Sequence, residues 1–167
     1  MDGNSRWATR QGLPAFVGHE RGVRALRQAV ITTREWRIPA LTVYAFSVEN
    51  WQRDAAEVAF LMDLFGSSLR QQLPELRQQG VRLRFIGQLE RLPQQLQDQI
   101  AACTAATAGN SELLLTVAVS YSAQLDMAQA VQRLARLVQA GQLAPEQVCV
   151  CARGCTCGGC VQPQLAA

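Results

Sequence analysis

Apolar positions along this chain repeat with two different periods, in alternation. Within residues 20–36, Val23, Leu26, Val30 and Ile31, with Ala29, fall at helical spacing, and Arg21, Arg24, Arg27 and Arg34 decorate the rest. Pro39 marks an exit, and ALTVYAF (40–46) reads as a short buried strand. The helical period returns over 55–79 with Val58, Leu61, Met62, Phe65 and Leu69. Pro74 should kink that helix or begin a new one, because proline cannot supply the helical amide donor. Gly80 ends the segment, and VRLRFIG (81–87) alternates as a strand does. A third helix is expected over 93–107 with Pro93 near its start. Gly109-Asn110 is a turn, and LLLTVAVS (113–120) is a continuous apolar run suited to a buried strand. Residues 124–140 complete the series as a helix closed by Gly141.

Helices alternating with short apolar strands predict an α/β fold, a mostly parallel sheet covered by helices on both faces. In such sheets ligands sit beyond the carboxyl ends of the strands. Chemistry is therefore expected at Ser47–Arg53, from Gly87 onward, and at Ser120–Gln124.

Composition narrows the classes. A chain of 167 residues fits one domain, and 49% hydrophobic residues can build its core. The net charge of +3 is too mild and too scattered to indicate a nucleic-acid binder. All 16 basic residues are Arg, the side chain suited to bidentate contact with phosphate, although codon usage explains the same bias. No run approaches the roughly 18 apolar residues of a membrane span. Met1-Asp2-Gly3-Asn4 is not a basic-then-apolar leader, so a cytoplasmic protein is expected. Five of the six Cys lie between Cys149 and Cys160, which argues against a disulfide framework.

Three constellations carry chemistry. In MDGNSRW (1–7), Gly3 and Asn4 tolerate positive φ, so neighbouring amides can converge on an anion. Arg6 adds a cationic fork, a helix starting there would favour phosphate, and Asp2 could hold Mg²⁺ beside phosphate oxygens. In SVENW (47–51), followed by Arg53, a hydroxyl, a carboxylate, an amide and an indole sit at a strand end. The plainer reading makes Glu49 and Asn50 capping residues and Trp51 a core anchor. GHERG (18–22) holds His19, the only His, which more often serves structure than catalysis.

In order and spacing, MDGNSRW, GHERG and YAFSVENWQR resemble the signature of the cis-prenyltransferases, the family that includes undecaprenyl diphosphate synthase. The resemblance continues through EVAFLMDLF, GVRLRFIG and LLLTVAVSY, so residues 1–148 are read as a partial cis-prenyltransferase domain. It implies Mg²⁺-dependent cis condensation of isopentenyl diphosphate onto an allylic diphosphate such as farnesyl diphosphate. Asp2 would bind Mg²⁺ and assist departure of the diphosphate, which Gly3, Asn4, Ser5 and Arg6 would cradle. Trp7, His19 and Arg53 would help bind substrate, Ser47, Val48, Glu49 and Trp51 would line the site, and Asn50 would take part in proton removal. The helix with Val58, Leu61, Met62 and Phe65 would flank a tunnel for the growing chain, a pattern that an ordinary core shares. The resemblance also implies a homodimer, no nucleic-acid partner, and membrane contact through the lipid product.

Departures from the family pattern are Ser5 for a frequent Gly, Ala15 for a phosphate-binding Arg, and SYSAQLD (120–126) for an Asn-Tyr-Gly-Gly-Arg run. The fold is expected to be incomplete relative to the family, missing the first strand and the C-terminal strands with their Arg-Thr-Gly-Gly-Glu and Arg-x-Ser motifs. The Cys-rich tail, 149–167, reads as an atypical, frameshifted segment. Two other readings stay open: a non-catalytic partner or inactive remnant of a prenyltransferase, and a metal-binding module built on the tail. The spacing C-x-C-x3-C-x-C-x2-C counts against the second, lacking two C-x2-C pairs.

Overall fold

The computed structural model describes residues 3–145 and 148. The chain forms two compact units, Met1–Ser122 and Ala123–Ala167. The first runs α1 (Asn4–Arg10), α2 (Ala15–Glu35), β1 (Ala40–Ser47), a 3-10 turn (Val48–Gln52), α3 (Ala55–Gln78), β2 (Val81–Ile86), a short 3-10 turn (Leu89–Arg91), α4 (Gln94–Ala106) and β3 (Leu113–Tyr121). The second carries α5 (Ala123–Gln139). The Cys-rich tail, and with it the expected boundary at residue 148, lies outside the described residues apart from Val148 itself.

The sheet is parallel, in the order β1-β3-β2. Its centre is β3, the most continuously apolar segment, and both alternating sets of its side chains are buried. Leu113, Leu115, Val117 and Val119 form one set and Thr116, Ala118 and Ser120 the other. The first set joins α3 residues Met62, Leu69 and Leu76 and α4 residues Leu96, Ile100 and Cys103 in one apolar core. Removing this area from water is the main force holding the unit together.

The outer strands differ from each other. The edge of β2 facing away from β3 is occupied by side chains. Thr107 Oγ1 accepts from Leu83 N at 3.1 Å, and Asn110 Nδ2 donates to Val81 O at 2.8 Å. Among the described residues β1 has a neighbour only in β3.

Three expectations change. β1 is not a buried strand: Ala40, Thr42 and Tyr44 are exposed and Leu41 and Val43 half-buried, because an edge strand is covered by fewer neighbours. The sheet is thus covered on both faces at β3 but not at β1. α2 begins at Ala15, five residues before the apolar period becomes visible, with Pro14 as its N-cap. α3 continues through Pro74, so no new helix begins there. It starts where Asp54 accepts a bond from Ala56 N at 2.9 Å. In the second unit, α5 buries none of its residues, and Leu125, Met127 and Val131 are exposed.

Candidate active site

Gly3 adopts φ +83, and α1 begins at the next residue, with Trp7 N donating to Gly3 O at 2.8 Å. A left-handed residue at this point costs glycine nothing. The amide end of the helix carries partial positive charge. Arg6 and Trp7 are exposed beside it, and Asn4 and Ser5 are half-buried against α2. Asp2, the expected Mg²⁺ ligand, lies outside the described residues.

His19 is held within α2, not in a loop. Its Nε2 lies 3.2 Å from Ser5 Oγ and 3.7 Å from Glu57 Oε1, and Arg53 Nη1 lies 2.6 Å from the same carboxylate oxygen. Ser5, His19, Glu57 and Arg53 therefore form one continuous polar chain. It joins the first constellation to the third and to Arg53. Burial pushes the His19 pKa below 6.5, and the nearby Arg53 guanidinium pushes the same way. Glu57 opposes both, by charge and by hydrogen bonding. Glu57 was not singled out in the sequence. Its signal was its place four residues after Arg53, in the first turn of α3.

The segment 47–53 divides its labour. Asn50 Oδ1 accepts from Ser47 N at 3.0 Å, and the Ser47 side chain answers the amide of residue 50, so the pair caps the 3-10 turn. The exposed Glu49 carboxyl is held below its usual value by its own backbone N–H, then by the Ser47 hydroxyl. Val48 is half-buried in this turn. Trp51 points into the protein. Its Nε1 donates to Ser120 Oγ at 2.9 Å, its ring meets Phe46 edge-on at 5.0 Å, and the Arg91 guanidinium lies 5.2 Å from its centroid. Ser120 is fully buried at φ +50, and its carbonyl accepts from Gln88 N at 3.1 Å. The carboxyl ends of all three strands are thereby tied together. Asn50 and Trp51 have the capping and anchoring contacts of the plainer reading, and Arg53 alone reaches toward the first constellation.

A cavity of about 160 Å³ lies between α2, α3 and the sheet. Leu26, Val43, Leu61, Phe65, Leu76 and Val117 are among the apolar side chains that line it. The α3 lining runs from Leu61 to Leu76, about 22 Å along a helix. Asn4, His19 and Tyr44 bring polar groups to the same wall. The helix that an ordinary core would also explain thus does flank a cavity.

The cavity is thus apolar along its length and bordered by Asn4, the first residue of α1, and by His19. Residues 1–156 match the family model described as putative undecaprenyl diphosphate synthase. The chain belongs to this family. It is 47% identical over 148 residues to the ditrans,polycis-undecaprenyl-diphosphate synthase of Pseudomonas aeruginosa, covering 89% of this chain and 59% of that protein. It is also 47% identical over 148 residues to a chloroplastic dehydrodolichyl diphosphate synthase of Solanum lycopersicum, covering 89% and 47%. The fold matches lavandulyl diphosphate synthase from Lavandula x intermedia, solved with dimethylallyl diphosphate. The TM-score is 0.85 at 31% identity, over 89% of this chain and 64% of that one. The chain spans 47% to 59% of the length of these curated relatives. Among the described residues no helix is long and apolar enough to cross a membrane.

Proposed function

We propose that this chain builds the allylic-diphosphate side of a cis-prenyl transfer site. The reaction is Mg²⁺-dependent cis condensation of isopentenyl diphosphate onto an allylic diphosphate such as farnesyl diphosphate, giving a polyprenyl diphosphate. The observation that carries this reading is the apolar cavity bordered by Asn4 and His19. Such a cavity accepts a hydrocarbon tail and excludes water from a carbocation-like centre. The diphosphate would lie against Gly3, Asn4, Ser5 and Arg6 at the amide end of α1, with Trp7 and His19 beside it and Arg53 approaching from the 47–53 turn. Ser47, Val48, Glu49, Asn50 and Trp51 would border the reacting carbons, Asn50 taking part in proton removal.

Among the described residues no cluster of three or more His, Cys, Asp or Glu could cage a metal. Mg²⁺ instead favours one or two carboxylates plus substrate phosphates and water. Asp2 would be that carboxylate, and the bound ion would offset charge developing on the departing diphosphate. Burial and the Arg53 guanidinium lower the His19 pKa and so disfavour a positive charge on its ring. Arg53 supplies that charge instead.

The proposal places the protein in the cytoplasm as a homodimer of the family type, touching the membrane through its lipid product. Calorimetric titration with farnesyl thiodiphosphate tests the site. Binding should require Mg²⁺, disappear with EDTA, and weaken at least tenfold in Arg53→Ala, about 1.4 kcal/mol. No binding at millimolar analogue would overturn the reading. Incorporation of radiolabelled isopentenyl diphosphate then separates a transferase from a non-catalytic partner that binds without turnover.

A further inference from the structure

Two glycines in α2, one helical turn apart, face α1. A Cβ built on Gly18 would overlap the carbonyl oxygen of Asn4 and come within 2.7 Å of its carbonyl carbon. A Cβ on Gly22 would lie 2.8 Å from both Asn4 Oδ1 and Asn4 Nδ2. Real Cβ atoms essentially never come so close, so neither neighbour could stay where it is. The two positions meet different parts of one residue: Gly18 the main chain of Asn4, Gly22 its carboxamide. Gly22, Asn4 and His19 also border the cavity together. Helix–helix packing alone would be served by any small residue. Here the missing Cβ atoms set the depth at which the first residue of α1 rests.

We propose that Gly18 and Gly22 are positioning residues: by admitting Asn4 directly onto α2, they fix where the amide end of α1 and the Asn4 carboxamide point in the polar mouth of the cavity. This rests on reading that mouth as the seat of the anionic head. The effect should be graded. Gly18→Ala must push backbone and displace all of α1. Gly22→Ala displaces mainly the short Asn4 side chain, and alanine improves helix propensity in α2, so global stability should hold.

The test uses the full 167-residue chain, wild type, Gly22→Ala, and the double variant Gly22→Ala with Asn4→Ser. Without ligand, Gly22→Ala should shift the Asn4 side-chain amide resonances and speed hydrogen exchange across Asn4–Arg10. Its melting temperature should match or exceed wild type. The shorter serine should restore the slow exchange of α1. With Mg²⁺ and farnesyl thiodiphosphate, Gly22→Ala should bind roughly tenfold more weakly than wild type. Unchanged amide resonances and exchange in Gly22→Ala would overturn the positioning role. So would unchanged affinity in that variant where wild type binds. A wild-type chain that takes no analogue sinks the reading of the mouth instead, and the exchange data alone then decide whether the glycines place α1.

Discussion

Replacing Trp51 with Phe keeps an aromatic ring against Phe46 but deletes the indole N–H that Ser120 Oγ accepts at 2.9 Å. Ser120 is completely buried, so its hydroxyl cannot turn to water instead. An unsatisfied buried polar group costs about 1–3 kcal/mol. The smaller ring also weakens the Arg91 contact, worth about 0.5–1 kcal/mol where partly exposed. Trp51→Phe should therefore destabilise the unit by about 1–4 kcal/mol. Ser120→Ala strands the other half of the same bond, at about 1–2 kcal/mol. The double variant has neither donor nor acceptor, so the two losses should not add, and the cycle should return a coupling of about 1–2 kcal/mol. Urea unfolding followed by far-ultraviolet circular dichroism measures all four proteins, with equal denaturant slopes as the check that unfolding stays two-state. A coupling within about 0.3 kcal/mol of zero would show that the indole does not tie the 47–53 turn to β3.

Other expectations follow from the polar chain and the sheet edge. Glu57→Gln removes the charge that raises the His19 pKa, so the only His in the chain should titrate still lower by NMR; an upward movement would refute the assignment. Because His19 is held below 6.5 in the folded state, unfolded chains take up its proton first as pH drops. Stability should therefore decline as pH passes downward through 6.5 toward the folded value, and His19→Gln should remove that part of the slope in urea titrations. Thr107→Val keeps shape but leaves Leu83 N without its acceptor, so the urea midpoint should fall by the equivalent of about 1–3 kcal/mol; no change would mean water replaces the hydroxyl.

The alternation of helices and strands was legible because each apolar period is long enough to show which face is buried. The start of α2 was not. Its first turn holds Gly18, which looks like a loop residue until α1 is seen lying on it. The order of strands was also hidden. Both 40–46 and 113–120 are apolar, and hydrophobicity alone does not say which lies at the centre. Position along the sheet decides that, leaving Tyr44 exposed and burying Val119. In the site, motif order marked Ser5, His19 and Arg53, which the fold does join. Glu57, the carboxylate that joins them, looked like one more charge on a solvated helix. Asn50 shows the converse limit, since a capping amide and a reacting amide have the same local sequence and only the bond to Ser47 N tells what holds it.

The unequal borders of the sheet give it a direction of growth. Thr107 and Asn110 already engage Leu83 N and Val81 O on the rim of β2, so a strand arriving there would have to displace them. A segment that docks by main-chain pairing meets fewer such contacts along β1, whose neighbour among the described residues is β3. Added parallel to β1, it would bring its carboxyl end beside Ser47, where the 47–53 turn begins.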